Sequence, residues 1–202
     1  VTIVGAGEAV ITVTAGAVPG RYAETSANYT VRVEKAPLTI TAKGKTIRFG
    51  EKASYDGYTA AGFVKGEDES VLSGEGVYHC DYQQYGAVGE YEISVSGLTA
   101  RNYDITFEAG ALIVEKAAEY TITLGKLEQL AGHTSAVTAQ ITPYDDTAEF
   151  SVEYQVNNGW TTEVPKDAGE YPVRAALTAS GNIESQPAAY TYGTLVVKQG
   201  VT

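Results

Sequence analysis

The chain has 202 residues, of which 44% are hydrophobic and 19% are charged, so it can bury a core and is not a disordered acidic polymer. A formal net charge of −11 disfavours binding to nucleic acid or to anionic membranes, because both require clustered lysine and arginine. The single cysteine, Cys80, permits no intrachain disulfide, and no apolar run is long enough to insert into a membrane.

Residues 1–36 are predicted to be the C-terminal part of a β module. Ala9–Thr14 is rich in β-branched residues, and apolar and polar residues alternate along Tyr29–Val33, as they do in half-buried strands. Two or three strands cannot make an independent sandwich. Because no signal peptide opens the sequence, we expect upstream strands of the same module in a longer protein. The alternative is pairing with another chain along an open strand edge.

Residues 37–117 are predicted to form the second module. Its first strand, Leu38–Ala42, alternates apolar and threonine residues. Gly62–Gly74 is the one stretch in which a short helix is expected, with Asp68 or Glu69 in the first turn. That helix would make the module β-grasp-like, whereas its absence would favour an Ig-like sandwich. The sequence leaves both architectures open.

Residues 118–202 are predicted to form an Ig-like β-sandwich. Phe150–Val156 and Tyr171–Leu177 alternate in the manner of half-buried strands. Asn158 and Gly159 lie between apolar strands and tolerate positive φ, which predicts a tight hairpin.

The three segments end alike, which predicts a tandem array. Lys35, Lys116 and Lys198 each follow an apolar strand, at spacings of 81 and 82 residues (116 − 35 and 198 − 116). Gly-Glu-Tyr begins at Gly89 and again at Gly169, which is 80 residues later (169 − 89). No Gly/Ser-rich linker separates the segments. We therefore predict an all-β chain of tandem Ig-like β-sandwich modules in an elongated array.

The middle segment carries a series of short motifs in a fixed order. They are Leu38–Ala42, Phe49-Gly50, Gly62–Glu67, Leu72–Gly74, Gly89–Tyr91, Gly97-Leu98, Asn102-Tyr103 and Gly110–Val114. Through them, residues 37–117 resemble the MBG and YDG repeat modules of large bacterial cell-surface proteins. Residues 1–36 look like the end of a bacterial Ig-like module, and residues 118–199 are Ig-like in a general way. The resemblance implies an exported, surface-anchored, repetitive protein and implies no catalytic residue.

Aromatic residues of the third module are the candidate binding site. Trp160 lies beside the predicted hairpin, with Tyr154 and Tyr171 nearby in sequence. An exposed row of such rings can stack on sugar rings, so glycan binding is one hypothesis. The alternative is that the large aromatic rings pack into the module core.

Candidate metal sites and a candidate amide cross-link have weaker support, because their residues do not have the spacing that such sites require. His79, Cys80 and the distant His133 do not supply the three or four converging ligands of a zinc site, and Cys80 is expected to be a small buried residue. Two acidic clusters in predicted loops could offer carboxylate oxygens to calcium; they are Glu67–Glu69 and Asp145-Asp146. Neither cluster has the spacing of acidic residues that an EF-hand requires. A Lys–Asn amide cross-link through Asn102 and Lys43 or Lys45 is formally available. No cofactor, metal or catalytic residue is expected.

These features lead to two hypotheses about function. The first is a non-catalytic structural or adhesive stalk segment of a bacterial extracellular surface protein. Its partners would be the neighbouring β modules, with a host or environmental glycan or protein as a further ligand. The second is a carbohydrate-binding accessory module of a secreted glycan-active protein.

Overall fold

The computed structural model describes residues 2–64, 66–186 and 189–200. Over these residues the regular secondary structure is almost entirely β, which confirms the predicted fold class. The described strands are β1 Gly7–Ala15, β2 Thr25–Val33, β3 Ala36–Ala42, β4 Lys45–Arg48, β5 Tyr58–Ala61, β6 Leu72–Ser73, β7 Val77–His79, β8 Gly89–Ser96, β9 Thr99–Ala100, β10 Tyr103–Glu108, β11 Gly110–Glu115, β12 Thr121–Gly125, β13 Glu128–Leu130, β14 Thr138–Thr142, β15 Glu149–Val156, β16 Gly159–Thr161, β17 Gly169–Ala179 and β18 Thr191–Lys198.

The strands form six sheets. Their orders are β1-β2, β10-β3-β5, β4-β11-β8-β7, β6-β9, β12-β14 and β13-β18-β17-β15-β16. Most described pairs are antiparallel, but β3 with β10, β4 with β11 and β13 with β18 are parallel.

The second and third predicted modules share the order of three neighbouring strands, β4-β11-β8 and β13-β18-β17. In each, the first strand divides into two pieces, β3 and β4 or β12 and β13, that belong to different sheets. The second piece pairs in parallel with the last strand of its module, which is β11 or β18. That last strand neighbours β8 or β17, each of which begins with Gly-Glu-Tyr. The repeated sequence endings therefore mark a repeated sheet topology.

Glycine residues lie where two neighbouring stretches of chain pass from one sheet into another. β3 continues into β4 through Gly44, and β10 continues into β11 at Gly110. A Cβ on Gly110 would collide with the carbonyl oxygen of Ala42, and one on Gly44 would lie 3.0 Å from the carbonyl oxygen of Ala111. Glycine is required here by the close approach of two backbones.

The chain divides into two compact units that interleave along the sequence. One contains residues 1–44, 55–80 and 92–111, and the other contains residues 45–54, 81–91 and 112–202. In the first, Leu38, Ile40, Ile93 and Tyr103 are among the side chains that are at most 3% exposed. This division is based on compactness. It does not test the predicted module boundaries at 36/37 and 117/118, which stay a prediction.

The second unit contains two apolar clusters. One joins Phe49 and Ala117 to Ile122, Ile141, Ala175, Leu177 and Ile183, and the other consists of Val137, Tyr154, Val173, Leu195 and Val197. The amide of Ala117 donates to the carbonyl of Asn182 at 3.0 Å, and the amide of Glu184 donates to the carbonyl of Ala117 at 2.9 Å. Ala117, between β11 and β12, is thus buried and hydrogen-bonded, and its apolar cluster includes residues on both sides of it in the sequence.

The expected helix in Gly62–Gly74 is reduced to one turn. The described helical residues are the 3₁₀ segment Glu69–Val71, whose N-cap is Asp68. Asp68 accepts a hydrogen bond from the amide of Ser70 at 2.9 Å. A three-residue turn cannot cover a sheet, so the β-grasp alternative lacks the helix on which it depended. Within the described residues, no helix is long and apolar enough to cross a membrane.

Candidate functional site

The residues considered for metal or nucleophile chemistry do not converge. Cys80 is a buried free cysteine. Among the described residues, no group of three or more His, Cys, Asp or Glu side chains is placed to hold a metal ion. Of the groups considered for an amide cross-link, Asn102 accepts the amide of Ala6 at 3.2 Å and Lys45 donates to Ser54 at 2.6 Å.

The two acidic clusters hold their own loops together. The Glu67 carboxylate accepts a short hydrogen bond from the hydroxyl of Tyr103, and Asp68 caps the 3₁₀ turn. Asp145 is only 5% exposed, and both of its carboxylate oxygens accept hydrogen bonds from protein groups. These oxygens are therefore already engaged in structural hydrogen bonds.

The Asp145 carboxylate organises the loop that follows β14. It accepts hydrogen bonds from the Thr147 amide at 3.0 Å, the Thr147 hydroxyl at 2.8 Å, the Asn182 amide nitrogen at 3.0 Å and the Ser180 hydroxyl. The Asn182 side-chain oxygen in turn accepts from the amide of Val88 at 3.0 Å. Burial opposes ionisation, but the hydrogen bonds from Ser180, Asn182 and Thr147 outweigh it and hold the pKa of Asp145 below its ordinary value.

The three aromatic residues proposed for glycan stacking lie in different environments. Tyr154 is 1% exposed, belongs to a core cluster and accepts the amide of Val137 at 2.8 Å through its hydroxyl oxygen. Tyr171 is half-buried, packs against the same cluster and donates its hydroxyl to the carbonyl of Asp167 at 3.1 Å. The Tyr154 ring is therefore closed to a ligand. Trp160 is half-buried on β16, opposite Gln155 of β15.

Trp160 belongs to a different aromatic group, built around Arg174 of β17. The Arg174 guanidinium carbon lies 4.3 Å from the centre of the Trp160 ring and 4.4 Å from the centre of the Tyr190 ring. Its Nε donates to Glu153 of β15 at 2.7 Å. That hydrogen bond raises the pKa of Arg174. The cation is thus fixed by two aromatic faces and a carboxylate.

This aromatic group continues to the last strand. Tyr192, on β18 opposite Arg174, is 66% exposed, and its ring centre is 6.2 Å from that of Tyr190 with the planes tilted by 49°. We call Trp160, Arg174, Tyr190 and Tyr192 the aromatic platform. It presents the exposed Tyr192 ring beside the ion pair of Glu153 and Arg174. The tyrosine can stack on a ring of a ligand, and the ion pair can hydrogen-bond to the substituents of that ring.

A cavity adjoins the platform at Tyr190. A cavity of about 290 Å³ includes Tyr190 and shares Tyr120 and Gln186 with a larger, open cavity of about 580 Å³. The larger cavity adds Tyr85, Glu119 and Pro143 among its lining residues. Tyrosine and Gln186 therefore line both cavities, and the larger one also has the Glu119 carboxylate.

The residues grouped with Trp160 in the structure differ from the two tyrosines chosen from the sequence. Arg174 lies between the buried residues Val173 and Ala175, so strand alternation alone places it on the outer face of β17. Tyr192 has the same outward phase on β18. The alternation of inward and outward residues along each strand is the sequence signal that could have located Arg174 and Tyr192 on the outer face. The same alternation assigns Tyr154 to the core.

A comparison with protein families identifies one part of the chain. Residues 38–113 match the family of the MBG domain (YGX type). The middle segment is similar to the MBG domain. This confirms the module predicted from the short motifs between Leu38 and Val114. The match covers less than half of the chain, and it says nothing of the residues on either side of the MBG-type module.

No curated protein matches the sequence significantly. Among solved structures, one match is "PcdhgB3 EC1-4 in 50 mM HEPES", with 10% sequence identity and a TM-score of 0.30. The alignment covers 96% of this chain and 57% of that one. A similarity this low does not establish a shared fold.

Proposed function

We propose that the chain is a non-catalytic structural and adhesive segment of a large bacterial extracellular surface protein. The observation that carries the proposal is the MBG-type module at residues 38–113. The repeated sheet topology on both sides of residue 117 supports it, because repetition of one β module is how an array of modules is built.

The joins between segments favour a mechanical role. β2 ends at Val33 and β3 begins at Ala36, whose amide donates to the carbonyl of Asn102 at 2.9 Å. Ala117, in the second join, is 4% exposed and packs in a core cluster. Joins held by hydrogen bonds and burial transmit force with little slack, whereas a Gly/Ser linker would behave as a flexible coil.

Antibodies raised against the chain should label intact cells of the organism that produces it. External protease should remove that label without lysing the cells, because an exported stalk lies outside the membrane. Antibodies against a cytoplasmic protein serve as the control, and labelling that requires permeabilised cells would exclude the proposed location. This test addresses the location and leaves the ligand open.

The aromatic platform supports a second candidate function, carbohydrate recognition. Tyr192 and Trp160 offer stacking surfaces, and the Glu153–Arg174 pair offers fixed hydrogen-bonding groups beside them. A chain of charge −11 fits a neutral glycan better than an anionic one, because an acidic ligand would be repelled. Under this second hypothesis, the chain is a carbohydrate-binding accessory module of a secreted glycan-active protein.

On a glycan array, Tyr192→Ala should lower binding about tenfold, since loss of one stacking ring removes roughly 1 to 1.5 kcal/mol. Trp160→Ala should have a similar effect and should also release Arg174. Tyr22→Ala is the matched control, because Tyr22 is 73% exposed and lies in the other compact unit. Equal binding by all variants, or no binding by the unaltered chain, would remove this second function and leave the structural role untouched.

A further inference from the structure

Two cavities of the second unit adjoin each other at shared wall residues. The cavity that reaches the aromatic platform at Tyr190 has a volume of about 290 Å³, and its neighbour has a volume of about 580 Å³. Tyr120, Thr121 and Gln186 line both of them. The larger one is within the range of small-molecule sites, which is about 300 to 1,000 Å³. We call the two together the double cavity.

Tyr120 carries a polar group that the protein itself does not satisfy. Its side chain lines both cavities and also packs against the apolar cluster that contains Ile122. The Tyr120 hydroxyl oxygen is buried and has no hydrogen-bond partner among the described residues. Such groups are rare, because they lose their hydrogen bonds to water and gain none in return. The unpaired hydroxyl therefore points to a ligand that supplies the missing bond.

A second polar group at the junction is held by the backbone. The side-chain nitrogen of Gln186 donates to the carbonyl of Ala118 at 2.8 Å, which fixes the amide beside the double cavity. The oxygen of the same amide can then accept a hydrogen bond from a ligand. Glu119, an exposed residue that lines the larger cavity, adds a carboxylate with two acceptor oxygens.

The larger cavity also has an anchored aromatic ring, that of Tyr85. This ring lies edge-on to the buried ring of Phe49, with centres 6.2 Å apart and planes at 70°. The φ of Tyr85 is 69°, in the left-handed region that bulky residues rarely adopt. Backbone positions of this kind occur often at ligand sites, where the surrounding structure holds them. Because Tyr85 is still 48% exposed, its ring can contact a ligand.

The lining favours a neutral ligand that is rich in hydroxyl groups. Among the described residues that line the double cavity, none is Lys or Arg, so a phosphate or sulfate group would meet the Glu119 carboxylate and no counter-charge. A purely apolar ligand would leave Glu119 and Gln186 without partners. A sugar ring meets both demands, since it has an apolar face for tyrosine and hydroxyl groups for the carboxylate and the amide.

We propose that the double cavity binds consecutive units of a neutral oligosaccharide and that the Tyr120 hydroxyl hydrogen-bonds to one of them. This inference rests on the second candidate function, carbohydrate recognition, and extends its site from the platform at Tyr190 to Tyr85. A small rotation of the Tyr120 side chain towards the cavity brings the buried hydroxyl to the sugar. The ligand is then a sugar chain and not a single sugar, because the platform alone accommodates one ring.

Affinity should depend on the length of the sugar chain. Linear β-1,4-linked oligomers of glucose and of N-acetylglucosamine, from one to six units, are the probes for isothermal titration calorimetry on the unaltered chain. The hexasaccharide of the series that binds should bind about tenfold more tightly than its monosaccharide, since each further unit adds hydrogen bonds in the double cavity. Equal affinity at every length would restrict binding to the platform and overturn the proposal.

Tyr120→Phe tests the hydroxyl itself. The variant keeps the ring that packs against the apolar cluster and removes only the oxygen. Its melting temperature should rise by about 2 to 4 °C, because a buried unpaired group is gone, while its affinity for the hexasaccharide should fall about fivefold. A role in packing alone predicts no loss of affinity. Unchanged affinity, or a lower melting temperature, therefore overturns the proposal.

Tyr91→Phe is the matched control. The Tyr91 hydroxyl donates to the carbonyl of Ala87 at 2.7 Å, and Tyr91 lies in the same compact unit but lines neither cavity. Because this hydroxyl already has a partner, its removal should not raise the melting temperature. The affinity of the control for the hexasaccharide should equal that of the unaltered chain.

The outcomes separate this inference from the function on which it rests. If Tyr192→Ala weakens sugar binding and Tyr120→Phe does not, carbohydrate recognition remains at the platform and the double cavity is excluded. If no oligosaccharide binds, both fail. Tighter binding of a ten-residue polyproline peptide than of any oligosaccharide would assign the double cavity to a protein partner and would also overturn the proposal.

Discussion

Replacing Asp145 by alanine is expected to lower the free energy of unfolding of the second unit by about 3 kcal/mol, because the buried side-chain amide of Asn182 and several more exposed donors lose their acceptor at once. Those donors are the amide and hydroxyl of Thr147, the side-chain amide of Asn182 and the hydroxyl of Ser180. Asp145→Asn keeps one acceptor oxygen but brings an NH₂ group towards the remaining donors, so an intermediate loss is expected. Trp160, the only tryptophan, lies in the same unit and reports urea unfolding by fluorescence.

The neighbouring carboxylate supplies the control. Asp146 is exposed, so Asp146→Ala should change stability by less than about 0.5 kcal/mol. Equal destabilisation by the two alanine variants would mean that the loop depends on its charge and not on the Asp145 network.

The same network predicts a dependence on pH. The pKa of Asp145 lies below its ordinary value, so the carboxylate stabilises the fold fully above the unfolded pKa of about 3.9. That contribution is lost as the pH falls through the lower folded pKa. The stability of the unaltered chain should therefore fall more steeply below about pH 4 than that of Asp145→Asn, and the two curves should approach each other.

Alternation along strands predicted most of the β elements, because the residues that face a core repeat every two positions. Along β8, Ile93 is 0% exposed and Val95 is 4% exposed, as the sequence pattern requires. The pattern does not say which sheet a strand joins, since that choice depends on residues far apart in the chain. The sequence around Gly44 is accordingly as typical of an ordinary turn as of a strand that changes sheets.

Turn chemistry located the hairpin in the third module to within one residue. Asn158 and Gly159 were expected in the turn, whereas the positive φ values belong to Asn157 and Asn158, at 50° and 65°. Gly159 begins β16 and pairs with Val156. Both asparagines tolerate the left-handed region, so the sequence offered two adjacent solutions and the strand register selected one.

The candidate site shows the limit of reasoning from nearness in sequence. Tyr154 and Tyr171 are close to Trp160 along the chain, but their strand phase directs them into the core or against it. Arg174 reaches Trp160 only because β16, β15 and β17 lie side by side in one sheet, and it also contacts Tyr190, which precedes β18. Such cross-strand contacts follow from register, which a single sequence specifies poorly.

A second large effect is expected at the place where two strands change sheets. Gly110→Ala should destabilise the first unit by about 3 kcal/mol or more, because the new Cβ would collide with the carbonyl oxygen of Ala42 and approach the Gly44 nitrogen at 3.1 Å. Both contacts are with backbone, so no side chain can move aside to relieve them. The strands must separate, which weakens the parallel pairing of β3 with β10.

Hydrogen exchange at the amides of β3 and β10 measures that loss directly, since Trp160 lies in the other unit. Exchange should be about two orders of magnitude faster in Gly110→Ala than in the unaltered chain, if the free energy of opening the β3–β10 hydrogen bonds is lower by roughly 3 kcal/mol. Gly16→Ala is the control, because a Cβ added at Gly16 would meet no neighbouring atom within 4 Å, and its exchange pattern should match that of the unaltered chain. Protected β3 and β10 amides in Gly110→Ala would show that the crossing tolerates a side chain and that the two backbones are free to move apart there.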